Sequence, residues 1–65
     1  MQDSHIVTLK VIVSPDQAWA YAQFLKRVGL ADYAALAIDQ QEAYAMLATG
    51  QVIREELARA GYAPR

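Results

Sequence analysis

The chain has 65 residues, no Cys and a formal net charge of −1. A domain of that size buries only about 60% of the surface its unfolded form exposes, and with disulfides and thiolate–metal sites excluded, association is the remaining common source of stability. The six basic residues, Lys10, Lys26, Arg27, Arg54, Arg59 and Arg65, are scattered, so one subunit offers no basic face of the kind that grips phosphates without regard to sequence. Hydrophobic residues make up 55% and charged residues 20%, a globular balance rather than a disordered one. The opening MQDSH has no basic region leading into an apolar run, and nothing later approaches the roughly 18 to 20 apolar residues that span a bilayer. The expectation is therefore a single cytoplasmic domain over residues 1–65, with 1–4 frayed and no membrane contact.

Residues 5–13, HIVTLKVIV, alternate in the manner of a strand. Val7, Leu9, Val11 and Val13 fall on one face, and Ile6, Thr8, Lys10 and Ile12 on the other. No second segment of this kind follows, so the backbone groups of a strand here would need a partner from another chain. Ser14-Pro15-Asp16-Gln17 then combines a Ser N-cap, Pro at the first helical position and Gln at N3, which predicts a helix from Pro15. Its apolar stripe is Ala18, Tyr21, Ala22, Leu25 and Val28, with Asp16, Gln23 and Arg27 opposite and Trp19 and Phe24 on the flanks. Gly29 is read as a left-handed C-cap.

Asp32 is a candidate cap for a short helical turn over 33–37. Asp39-Gln40-Gln41-Glu42 reads as a second capping box, opening a long helix that reaches about Ala60, with Gly61 as its stop. The stripe of that helix is Ala43, Met46, Gly50, Ile53 and Leu57. Gly50 in its middle costs about 1 kcal/mol relative to Ala, which either a close backbone contact or a local kink would explain.

These elements carry little chemistry. His5 is the sole His, and Asp16, Asp32 and Asp39 are already assigned to helix starts. Glu42, Glu55 and Glu56 spread around the polar side of the last helix, so no metal or other cofactor is expected. A base–nucleophile pair is equally remote: Ser4 and His5 are adjacent, and adjacent residues of a strand point to opposite faces. The glycines at 29, 50 and 61 match no phosphate loop. We expect no catalytic residues and no enzyme.

Binding is the better expectation. Trp19 is the sole Trp and lies at the rim of the first helix's stripe, where large aromatics are enriched in hot spots. The competing reading packs it under the last helix or the short turn. Its companions in a candidate protein-binding set are Gln23, Phe24, Lys26 and Tyr44.

The order of strand, Ser-Pro-capped helix, Gly turn and further helix in residues 5–29 and beyond resembles the ribbon-helix-helix family of transcriptional repressors and antitoxins. That resemblance implies an antiparallel ribbon between two subunits, with Thr8 and Lys10, flanked by Ile6 and Ile12, facing the DNA major groove. About ten residues separate the Gly turn from the Asp39 box, where that family resumes helix almost at once. In the C-terminal half, EAYAML, IREEL and AGYAPR resemble small proteobacterial and prophage-encoded proteins of unknown function, a class that includes phage inhibitors of host machinery such as anti-CRISPR proteins.

The resulting expectation is a mostly helical α+β fold of β-α-α order. Its strand pairs between the subunits of a homodimer along a seam of Val7, Leu9, Val11 and Val13. The leading functional expectation is a non-enzymatic module that binds a larger host protein or complex such as a CRISPR–Cas or other defence system, with DNA binding through Thr8 and Lys10 as the alternative.

Overall fold

The computed structural model describes residues 6–65. They form three helices in the order α1 (Pro15–Arg27), α2 (Leu30–Leu36) and α3 (Gln40–Arg59). Helix α1 starts where the Ser-Pro signal places it: the Gln17 amide donates to Ser14 Oγ at 3.1 Å, and the Ser14 amide donates to Gln17 Oε1 at 2.9 Å. Helix α3 starts on Asp39, whose Oδ1 accepts from the Glu42 amide at 2.8 Å. The Glu42 carboxylate reaches one residue further back than a capping box requires and accepts from the Ile38 amide.

The start of α2 differs from the sequence expectation. Gly29 is its N-cap, with φ −121°, and not a left-handed C-cap of α1. Asp32 sits three residues further in, where its carboxylate accepts from the Gly29 amide at 2.8 Å. A carboxylate near a helix start serves equally well as the cap or as the residue that reaches back to it, and this difference of role moves the helix start from 33 to Leu30.

The N-terminal expectation is overturned. Among the described residues there is no strand, so the fold is helical rather than α+β, and the pairing of strands between subunits is not formed. His5 lies outside the described residues. Residues 6–14 run without regular structure, and Val7, Leu9, Val11 and Val13, assigned to a core face, are exposed, Leu9 at 71%. The physical reason is that alternation selects an extended backbone, whereas a ladder requires a second strand to supply its hydrogen bonds.

The packing is organised by α3, against which both α1 and α2 lie. Apart from Leu25 of α1, the buried side chains among the described residues are small: Ala18 and Ala22 from α1 and Ala43 from α3, with Gly50 buried beside them. Of the two readings of Gly50, close contact is the one realised. Tyr33 of α2 lays its ring against the α3 backbone at that position, so that a Cβ there would run into the Tyr33 hydroxyl and lie 3.6 Å from Leu25 Cδ2. Three helices therefore meet at a residue without a side chain.

Helix α3 closes with a Schellman arrangement. The Tyr62 amide donates to the Leu57 carbonyl at 2.8 Å and the Gly61 amide to the Ala58 carbonyl at 3.0 Å, with Gly61 at φ 102°, a conformation that favours glycine. The molecule is thin, with extents of 33 × 31 × 16 Å.

Candidate functional site

Helix α1 carries aromatic side chains on both sides of its buried Ala18–Ala22–Leu25 stripe, and each side forms a surface of its own. On one side stand Trp19, Gln23 and Lys26, one and two turns apart. The Schellman turn that ends α3 delivers Tyr62 to this side, and the Trp19 and Tyr62 rings approach at 6.1 Å between centroids, tilted by 59°. That lies within the range of favourable tilted aromatic pairs. Trp19 is thus packed on one edge and open on the other, 44% exposed. Of the two sequence readings of Trp19, neither holds alone: it packs, but against the tail that follows the last helix rather than beneath that helix.

On the other side of α1, Tyr21 and Phe24 pair at 5.3 Å between centroids, tilted by 34°, and both remain about half exposed. They form one wall of an open groove whose floor is Leu25, Tyr33 and Gly50 and whose far wall is Met46, Thr49 and Ile53 of α3, with Glu42 at one end. Thr49 turns its hydroxyl onto the Ala45 carbonyl one turn back, at 2.9 Å. The lining is apolar except for the Tyr and Thr hydroxyls and the Glu42 carboxylate.

The five residues expected to form one protein-binding set are consequently divided. Trp19, Gln23 and Lys26 share a face, and the Gln23 side chain there accepts from Arg27 at 3.3 Å. Phe24 lies across the helix in the groove. Tyr44 is exposed on α3 and hydrogen-bonded to Gln40 at 3.4 Å, about 160° around the helix from Met46 at 100° per residue. Thr8 and Lys10, assigned to DNA contact, stand in the exposed N-terminal segment without the ribbon that contact requires. Sequence reasoning missed the groove because Tyr21 was placed with the core stripe. The detectable signal was the spacing of Tyr21 and Phe24, an aromatic pair three residues apart on a helix surface.

The carboxylates of the helix starts are held in place by backbone amides, Asp32 by Gly29, Asp39 by Glu42 and Glu42 by Ile38, and Glu56 pairs with Arg59 within the last turns of α3. Among the described residues no three of His, Cys, Asp and Glu come together, and no helix is long and apolar enough to cross a membrane.

A family model described as a family of unknown function, DUF7706, matches residues 1–65. No curated protein and no solved structure matches the chain.

Proposed function

We propose that the chain, which belongs to the family of unknown function DUF7706, is a non-enzymatic protein-binding module that presents the Trp19 face of α1 to a larger partner. The observation that carries this reading is the way Trp19 is held. Its ring leans on Tyr62 and stays 44% exposed, with the polar side chains of Gln23 and Lys26 along the same face. A tryptophan braced before its partner arrives loses little rotamer freedom on binding. A polar rim around a large aromatic is the arrangement in which single side chains dominate interface energies. Both features favour recognition of a protein surface with an apolar pocket able to take an indole. The likeness of residues 15–65 to small prophage-encoded proteins supports a host complex as the class of partner.

The test is affinity capture of the full chain and of Trp19→Ala from host lysate, with cross-link mapping of whatever is retained. The proposal expects a retained protein whose cross-links fall on α1 near Gln23 and Lys26 and which is lost from Trp19→Ala, while far-UV circular dichroism shows both chains equally helical. Equal retention by the two chains would sink the assignment of this face.

A further inference from the structure

Two features of the molecule remain uncommitted, and each has the shape and chemistry the other lacks. The first is the arm of residues 6–13, IVTLKVIV, every residue of which is exposed. The second is the groove walled by Tyr21 and Phe24 on α1 and by Met46 and Ile53 on α3. We propose that the protein is a homodimer in which the arm of each copy lies along the groove of the other.

Exposure supports this first. The six apolar side chains of the arm are 49% to 89% exposed, a contiguous run of open apolar surface of the kind that marks an interaction site. Shape agrees: from Val7 to Val13 an extended chain spans about 20 Å, and from Glu42 to Ile53 the groove runs about 16 Å along α3.

The chemistry matches as well. The arm carries one charge, Lys10, and the groove lining carries one, Glu42, of opposite sign; the other residues of the arm are apolar apart from Thr8. Because the groove is open, the arm's backbone edges stay within reach of water, so laying down the arm does not strand its amides.

The arm belongs to the other copy rather than its own because of where it joins α1. Six of its eight residues are β-branched and none is Gly, Pro, Asn or Asp, so it has an extended preference and no turn chemistry. It enters Pro15 through Ser14 in extended backbone, φ −73° and ψ 161°, held by the capping box, and within one chain all of residues 6–13 are exposed and none of them lines the groove. Reciprocal exchange about a two-fold axis makes the contact twice and closes the assembly.

The absence of Cys makes a direct test available. Val11→Cys and Thr49→Cys chains, one of them tagged, are mixed and oxidised, alongside sedimentation of the unmodified chain over a concentration series. The proposal expects the unmodified chain to sediment at twice its own mass, a disulfide joining Val11→Cys of one chain to Thr49→Cys of the other, and a helical monomer when Leu9→Asp and Val11→Asp are combined. A monomer at millimolar concentration, disulfides formed chiefly between two Val11→Cys chains, or a dimer that survives the paired Asp substitutions would each overturn it.

Discussion

The junction around Gly50 and the arm of residues 6–13 are both apolar, yet the chain buries one and leaves the other open. At the junction, Ala18, Ala22 and Leu25 recur at helical spacing and meet Ala43 and Gly50 of a second helix within the same chain. In the arm, the residues alternate with period two, and the chain has no other segment of that period. Hydrophobicity sets the demand for cover, whereas periodicity determines whether the same chain can meet it.

The sharpest way to break this comparison is to shorten one Leu in each region. Leu25→Ala removes a side chain that is 6% exposed and should cost about 2–4 kcal/mol by transfer and cavity terms, read as a fall in the urea midpoint. Leu9→Ala, measured at dilution where the chain is monomeric, should stay within about 0.5 kcal/mol of the parent. Equal costs would mean that the arm is covered within one chain.

A second experiment sharpens the junction itself. Gly50→Ala removes a glycine from the middle of a helix, a gain of about 1 kcal/mol in propensity, but its methyl would meet the Tyr33 hydroxyl, and overpacking costs about 1–3 kcal/mol. We expect net destabilisation of about 1 kcal/mol from the balance of these two effects. In a Tyr33→Phe background the nearest remaining ring atom is 3.4 Å away, ordinary contact, and the same substitution should become neutral or stabilising. A change of sign in a thermal-melt double-mutant cycle isolates the contact; the same sign in both backgrounds would assign Gly50 to something else.

A third experiment addresses the place where the two regions join. Ser14→Ala removes the side-chain acceptor of the Gln17 amide and should cost about 1 kcal/mol. It should also free the arm's angle to α1, visible as new nuclear Overhauser contacts of Val13 with α1. If those contacts and the stability are unchanged, the capping box does not direct the arm.

Helix starts were the legible part of this fold, because capping is local chemistry. Ser14, Pro15 and Gln17, like Asp39 and Glu42, act within four residues of one another. Gly50 was legible as an anomaly, a costly residue at the centre of an apolar stripe, although its cause lay in Tyr33 of another element. The arm was misread because a strand is a property of two segments and a sequence pattern describes one. The candidate set split for a related reason: Trp19 and Phe24 lie on opposite flanks of α1, and only the tail beyond α3 and the wall of α3 itself distinguish the two flanks.

Helix α3 is the support the other two share: α1 and α2 each pack against it, with no close backbone approach between α1 and α2. Opening of α1 or of α2 can therefore leave the other in place, whereas opening of α3 removes the packing of both. Amide hydrogen exchange should accordingly find the protected amides of α3 at the free energy of global unfolding and those of the seven-residue α2 at a lower one.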